Sequence, residues 1–343
     1  MLKRCSIALC AFMTIVGAPA AQACTATTAV TSNLGSYSPP AAAAGAIPAL
    51  RSDAGLSCVP SVIVLLGMNY INATFSSANV LKLKRDGGTE TIAYTASADP
   101  GRTVPFVQNT TVDYMQNNLL DLLGLLNAST ANFPFYVKPT AGASPPIGTY
   151  RDVVTIKWNW YLCQGISAIF LCIGTPNKGT ATTIITVTMD VAAKGITVST
   201  NSVTTWDPLN GTVYPKALPG SRRRTTIGVT NPDIVPLTSN SLMLNLPIER
   251  TQRLALDGDG TLFSPVFGFS EGSPASALSF AYQSPGSTTD DVEFSNDNGA
   301  SWVFAPVAGD TVSQAAVTNI RLKPKGAMAP GSSFSVSVPL MVK

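Results

Sequence analysis

The 343-residue sequence contains no histidine. Histidine is the usual general base of serine and cysteine hydrolases and the commonest zinc ligand in proteins. Its absence therefore excludes those nucleophilic systems and most zinc chemistry. Charged residues make up only 12% of the chain and hydrophobic residues 45%, whereas charged residues usually make up about 25%. A chain of this composition can bury a core, so disorder caused by charge repulsion is also excluded.

Long apolar runs are absent after residue 23, because no later segment reaches the roughly 20 apolar residues that a membrane helix requires. The first 23 residues have the pattern of a secretory signal: Lys3 and Arg4, an apolar run from Ile7 to Gly17, and small residues at 21–23. We expect the mature protein to begin at Cys24 and to cross the inner membrane into the periplasm. From there it would reach the cell surface or the medium. Lipidation of Cys24 is an alternative, although residues 21 and 22 depart from the lipoprotein pattern.

An excess of basic charge is also lacking. Without the two basic residues of the signal, 20 basic and 19 acidic residues remain, a net charge of +1. Nucleic-acid binding needs a broad positive field that neutralises phosphates. We therefore exclude a nucleic-acid partner, and no residue pattern points to a cofactor.

Four cysteines remain in the mature chain: Cys24, Cys58, Cys163 and Cys172. An even number in an exported protein indicates disulfides, and three pairings are formally possible. We favour Cys24 with Cys58 and Cys163 with Cys172, because the second pair closes a short loop between two strand-like segments. A four-cysteine metal site is the rival interpretation, but it lacks the paired C-x-x-C spacing.

The sequence is rich in strand and turn signals. It has 27 glycines and 25 prolines, and apolar residues alternate with polar ones in segments such as 154–160, 185–191 and 334–342. Regular alternation of short strands and turns is typical of β-sandwiches. We predict an all-β protein with two immunoglobulin-like sandwiches in tandem. The predicted divisions are residues 1–23 for the signal, 24–192 for the first domain and 193–343 for the second.

The first predicted domain resembles a known family. The motifs are Cys24, Leu34-Gly35-Ser36-Tyr37, Cys58, and Gly148-Thr149-Tyr150-Arg151-Asp152 before a strand rich in threonine and valine. They are similar to the spore coat protein U family, which includes pilins and tip adhesins of archaic chaperone-usher pili. The resemblance implies a sandwich that lacks its last strand and receives one from a chaperone or a neighbouring subunit. With no donor segment before Cys24, such a subunit would suit the pilus tip.

The second predicted domain resembles a different module. The motifs are 205–211 (Thr-Trp-Asp-Pro-Leu-Asn-Gly), 215–220, 227–231, Asp297-Asn298-Gly299 and 324–331. They are similar to the domain of unknown function eleven, an immunoglobulin-like repeat of bacterial surface proteins. The resemblance implies a surface module and no chemistry.

These observations predict an exported, non-enzymatic surface protein, as a subunit or tip adhesin of an archaic chaperone-usher pilus that mediates attachment or biofilm formation. Its partners would be a periplasmic chaperone, an usher, neighbouring subunits and a hydrophobic or host surface. Apolar residues at a loop tip pinned by Cys163 and Cys172 could bind such a surface, and a leucine-rich stretch could add to it. The predicted surface-binding residues are Ile166, Ile169, Phe170, Leu171, Leu122 and Leu123. Both segments could instead be core, since apolar runs are more often buried.

Three alternatives remain. A secreted coat-type structural protein without adhesive activity is the first. The second is a phosphatase, because Asp257-Gly258-Asp259-Gly260-Thr261 matches the first motif of haloacid dehalogenases. The glycines and prolines after it, however, cannot sustain the helix which that chemistry needs. The third is calcium binding at Asp257 and Asp259 or at 290–293, although neither run matches an EF-hand loop.

Overall fold

The computed structural model describes residues 24–59, 69–116, 119, 123, 125, 131–168, 171–262 and 264–343. The prediction of an all-β fold is confirmed, because nearly every regular element is a strand. Ten strands lie in the first half of the chain: β1 (Cys24–Ala26), β2 (Ala29–Tyr37), β3 (Leu50–Cys58), β4 (Tyr70–Ser77), β5 (Lys82–Arg85), β6 (Thr91–Ser97), β7 (Thr111–Asp113), β8 (Ala131–Pro139), β9 (Gly148–Ala168) and β10 (Leu171–Val191). A short helix, α1 (Pro39–Ala43), begins after Ser38, whose hydroxyl accepts a hydrogen bond from the amide of Ala41.

Eight strands lie in the second half: β11 (Thr197–Trp206), β12 (Arg222–Thr230), β13 (Leu244–Pro247), β14 (Gln252–Leu254), β15 (Gly268–Glu271), β16 (Val292–Ser295), β17 (Asn319–Leu322) and β18 (Ser333–Val342). The helix α2 (Thr311–Ala316) precedes β17, and Asp310 caps its N-terminus by accepting from the amides of Val312 and Ser313.

The first ten strands form one hydrogen-bonded path in the order β1-β3-β8-β6-β5-β9-β10-β2, with β4 paired to β9 and β7 paired to β4. The two ends of this path follow each other in sequence, and β3 packs against β2 and β10. The path therefore wraps around a core. Its largest fully buried side chains include Trp158, Tyr114, Phe75, Phe133 and Phe135.

The alternation seen in the sequence is the reason these strands face inward as they do. Val154, Ile156, Trp158 and Trp160 of β9 are all buried, and so are the alternate residues 185–191 of β10. Because successive side chains of a strand point to opposite faces, the polar residues between them lie outside. Trp158 and Trp160 thus belong to the core.

The second half has a separate core between two sheets of unequal width. One sheet runs β11-β12-β18-β14 with β15 also paired to β18, and the other runs β13-β17-β16. Apolar side chains from both sheets meet between them, among them Val229 and Val336 from the wide sheet and Leu322 and Phe294 from the narrow one. The wide sheet has five strands and the narrow one three. The narrow sheet therefore cannot cover the whole inner face of the wide sheet.

Both predicted disulfides are confirmed. Cys24 is bonded to Cys58, and this bond joins directly opposed residues of β1 and β3. Cys163 is bonded to Cys172, and this bond joins β9 to β10. These bonds agree with export to an oxidising compartment.

Candidate binding site

The end of the β9–β10 hairpin carries most of the predicted surface-binding residues. Each strand has 21 residues, and the pairing runs from Gly148 opposite Val191 to Ala168 opposite Leu171. Ile166 lies two residues before the end of β9, and Leu171 is the first residue of β10. Ile169 and Phe170 lie outside the described residues. The structure thus places Ile166 and Leu171 together at one hairpin end.

The disulfide shapes this hairpin end. Cys163 is opposite Pro176 in the strand register, whereas Cys172 is opposite Ser167. Four residues of straight strand would span about 13 Å, but the Cα atoms of Cys163 and Cys172 are 5.6 Å apart. The two strands must therefore curl strongly where the disulfide joins them, which makes the described part of this hairpin end compact.

The leucine-rich stretch faces the core where it is described. Leu119 and Leu125 are buried, and Leu123 is partly buried against the first core. Leu122 lies outside the described residues. Leu123 can therefore offer only part of its side chain to a binding surface, because the rest already packs inside the protein.

The Gly-Thr-Tyr-Arg-Asp run begins β9 and fastens it to its neighbours. Gly148 has a φ of +151°, and a Cβ there would lie 2.9 Å from Nε of Arg85. Tyr150 is buried, and its hydroxyl donates to the carbonyl oxygen of Pro146 at 2.8 Å. The motif places a glycine where the backbone has a positive φ and the Arg85 side chain lies close, and it places an aromatic ring in the core.

Asp152 is the centre of this arrangement. One oxygen of its buried carboxylate accepts from the hydroxyls of Ser77 and Tyr94, both at 2.6 Å. The other oxygen accepts from the amides of Asn79 and Val153. Burial, together with the neighbouring Asp152 carboxylate, raises the pKa of Tyr94 far above its ordinary value. The motif is thus a structural clasp that joins β4, β6 and β9.

The first and last strands of this half lie side by side. β2 pairs with β10 in parallel, from Ala29 opposite Ile184 to Tyr37 opposite Val191. Only Leu34 and Ser32 of β2 are buried, and the Ser32 hydroxyl has no hydrogen-bond partner among the described residues. β2 therefore fills the place beside β10 with little apolar surface and one unsatisfied polar group.

The Asp-Gly-Asp-Gly-Thr segment serves the structure of the second half. The Asp257 carboxylate pairs with Arg222 at 2.6 Å and that of Asp259 with Arg224 at 2.5 Å. Desolvation alone would raise the pKa of Asp259, but hydrogen bonds from Thr261 and Arg224 outweigh it and hold the pKa to about 2. The chain then continues as a loop into β15, without a helix in the described part of this segment. A phosphatase nucleophile needs that helix and a free carboxylate, so the segment does not have the phosphatase arrangement.

The other acidic run is also occupied. Asp290 and Asp291 accept from the backbone amides of Gln283 and Ala281, and Glu293 pairs with Arg321 and Lys323. Within the described ranges, no group of three acidic or cysteine side chains is arranged to hold a metal ion. The described residues also include no helix of the length and apolarity needed to cross a bilayer.

Sequence reasoning missed one exposed apolar loop, between β11 and β12. Leu209, Val213 and Tyr214 are 79%, 66% and 90% exposed. The Asp207 carboxylate fixes this loop by accepting from the amides of Leu209, Asn210 and Lys216. Desolvation would raise the pKa of Asp207, but these hydrogen bonds outweigh it and hold the pKa to about 2. The Asn210-Gly211 pair is a turn signal, but nothing in it indicates that the apolar side chains of this loop point outward.

The comparison with protein-family models agrees with the resemblance predicted for the first half of the chain. The family model of the Spore Coat Protein U domain matches residues 11–157, so the predicted resemblance to that family is confirmed over this range. One similar solved structure is the CsuC-CsuE chaperone-tip adhesion subunit pre-assembly complex from archaic chaperone-usher Csu pili of Acinetobacter baumannii. It is 13% identical with a TM-score of 0.40, and the match covers 89% of this chain and 94% of that chain.

Another similar solved structure is the C-terminal domain of the AgI/II polypeptide BspA of Streptococcus agalactiae. It is 9% identical with a TM-score of 0.18, and the match covers 86% of this chain and 85% of that chain. No curated protein matches the chain.

Proposed function

We propose that this chain is an exported, non-enzymatic surface subunit of an archaic chaperone-usher pilus, and that it works as the tip adhesin. The observation that carries the proposal is the Spore Coat Protein U match over residues 11–157. The clasp around Asp152 supports it, because the run that begins β9 has a defined structural role in a sandwich of this kind. Attachment of cells to surfaces, and through it biofilm formation, would follow from this role.

The proposed partners are a periplasmic chaperone, an usher and a neighbouring subunit that donates a strand. β2 supports this proposal, because it lies beside β10 with few buried side chains and an unsatisfied Ser32 hydroxyl. A donated strand with larger apolar side chains could take its place next to β10 and bury more apolar surface. Export to the periplasm and then to the cell surface is the route that this assembly requires.

The proposed binding element is the compact end of the β9–β10 hairpin. Its apolar residues Ile166, Ile169, Phe170 and Leu171 would contact a hydrophobic or host surface. Burying a fully exposed large apolar side chain contributes about 1.5 to 3 kcal/mol. Two or three such anchors on each copy would hold a cell when many copies act together.

The assembly is tested by co-expression in a periplasm with and without a candidate chaperone. We expect a stoichiometric complex with the chaperone, and aggregation or proteolysis without it, because an incomplete sandwich leaves a strand edge open. A stable monomer without the chaperone would contradict the pilus proposal. It would favour the second candidate, a secreted coat-type structural protein without adhesive activity. The specific observation in favour of that candidate is that β2 already covers β10 over seven paired residues.

Adhesion is tested with Ile169→Ser combined with Phe170→Ser. We expect surface attachment to fall while the fold and secretion stay normal, since the sequence predicts that both residues lie at a loop tip. A matched control is Val153→Ser combined with Ile184→Ser, which removes two exposed apolar side chains from the body of the same hairpin. Equal attachment by the tip variant and the control would contradict a role of the tip in adhesion.

A further inference from the structure

Three consecutive arginines begin β12, and the side chain of the middle one, Arg223, is unpaired whereas those of its two neighbours are paired. Arg222 and Arg224 project to the outer face of the wide sheet, where Asp257 and Asp259 pair with them. Arg223 projects to the opposite face, the side that carries the buried residues Ile227 and Val229. Its guanidinium makes no hydrogen bond or ion pair with any described residue, and its Nε is buried without a partner. Arg223 as a whole is only partly buried, so the unfavourable contribution comes from the Nε–H group, which has lost its hydrogen bond to water without gaining another.

Arg223 lies in a cleft at the open edge of the second sandwich. The cleft has a volume of about 320 Å³ and is formed where the wide sheet extends beyond the narrow one. Hydroxyl and amide groups line its wall on β11 and β12, and β13 and the following residues form the other wall. The lining residues used here are Thr200, Asn201, Ser202, Thr225, Leu246 and Glu249. Glu249 is exposed and lines the same cleft, but no ion pair between it and Arg223 is present among the described residues.

The edge beside this cleft is uncovered. β11 is the terminal strand of the wide sheet and has ten residues, of which the first seven are exposed. Proteins usually protect a long edge with charged residues, proline or a bulge. β11 contains no charged residue, proline or glycine, and its register with β12 is regular from Thr197 to Thr204. Its outer backbone groups are therefore free to pair with another extended chain.

The free edge of β11 and the guanidinium of Arg223 could both be satisfied by one ligand, an extended peptide with an acidic side chain. A free strand edge binds an extended peptide through its backbone, and a guanidinium binds a carboxylate through two parallel hydrogen bonds. We propose that the second half of this protein binds an extended segment of a partner protein along β11, with an acidic side chain of that segment paired to Arg223. This proposal does not depend on the pilus assignment, because every residue in it lies between positions 197 and 252.

The probe for this proposal is the peptide acetyl-Thr-Val-Thr-Glu-Thr-Val-Thr-amide, compared with the same peptide carrying Gln in place of Glu. Hydrogen exchange of the full chain, followed by mass spectrometry, locates the binding site, and peptide titration gives the affinities. We expect the Glu peptide to slow exchange in residues 197–203 and to bind at least about tenfold more tightly than the Gln peptide, because a charged hydrogen-bond partner strengthens the contact. Protection elsewhere, or equal affinities, would overturn the proposal.

The Arg223→Gln variant tests the role of the guanidinium. It should abolish the preference for the Glu peptide without lowering the unfolding temperature, whereas Arg51→Gln, at an exposed arginine of β3, should leave the preference unchanged. A preference that persists in Arg223→Gln would overturn the pairing. If that variant fails to fold, the comparison of the two peptides on the unmodified chain still decides. Protection of 197–203 that rises with protein concentration in the absence of peptide would show that a second copy occupies the edge, and would overturn a heterologous partner.

Discussion

Single residues decide how the first half is held together, and Asp152 is the clearest case. Its two carboxylate oxygens accept four hydrogen bonds from three different segments of the chain. An amide in its place would present an NH₂ group to the donors on one side, so either the two hydroxyls or the two backbone amides would lose their acceptor. The residue therefore explains why a motif ending in aspartate precedes this strand.

We expect Asp152→Asn to lower the free energy of unfolding of the first half by about 1.5 to 3 kcal/mol, the usual worth of a hydrogen bond to a charged group. Chemical denaturation measures this change. The matched control is Asp190→Asn on β10, where the exposed carboxylate accepts only from the Thr149 hydroxyl, and its effect should stay below about 1 kcal/mol. An equal loss in both variants would contradict the role given to Asp152.

At the scale of elements, the sequence predicted the strands better than it predicted the contacts made by the loops between them. The alternation in 154–160 and in the first part of 334–342 placed buried and exposed faces correctly, because a half-buried strand has a strict period of two. At the end of the second segment the alternation fails, since Pro339 is buried and Val342 is only partly buried. The Asp-Gly-Asp-Gly-Thr loop could not be understood in the same way. Its aspartates pair with arginines 35 residues earlier, and such a contact depends on the folded arrangement and not on local pattern.

The cleft at Arg223 is a second case in which the local sequence pattern does not predict side-chain pairing. Three consecutive arginines look alike in the sequence, and only the face of β12 on which each one lies separates the two paired arginines from the unpaired one. Likewise, the sequence of the loop at 207–214 indicated a turn, while the exposure of Tyr214 depends on how the Asp207 carboxylate folds that turn. Long-range pairing therefore fixes the candidate sites that sequence patterns left undefined.

The ion pairs between the 257–261 loop and β12 predict that the stability of the second half decreases in acid. The pKa of Asp259 in the folded protein is about 2, below its value of about 3.9 in an unfolded chain. The folded state therefore takes up the proton later, so this stabilisation is complete above about pH 4 and declines as the pH falls through about 2. We expect the unfolding free energy of the second half to decrease over that interval.

This decrease is measured by chemical denaturation at a series of pH values between 5 and 2. In Asp259→Asn the decrease should be smaller, and the stability at pH 5 should already be lower. Asp310→Asn is the matched control, since asparagine caps a helix as well as aspartate does, and it should keep the full decrease. A steep decrease that is unchanged in Asp259→Asn would show that other carboxylates account for it.

At the scale of the whole molecule, the two cores are built from different stretches of chain. All core residues of the first lie between Cys24 and Val191, and those of the second lie between Ile227 and Leu340. A few residues after β10 lead into β11, and the strands of one half do not pair with those of the other within the described ranges. Two cores without shared strands should unfold as two cooperative units.

We therefore expect calorimetry of the full chain to show two transitions, each of which responds to changes in one core only. Phe135→Ala, in the first core, and Phe294→Ala, in the second, should each destabilise their own unit by about 3 to 5 kcal/mol and leave the other transition in place. The two variants serve as controls for each other, because they remove the same buried ring. If either variant moved both transitions together, the halves would share one cooperative unit, and the division near residue 192 would be wrong.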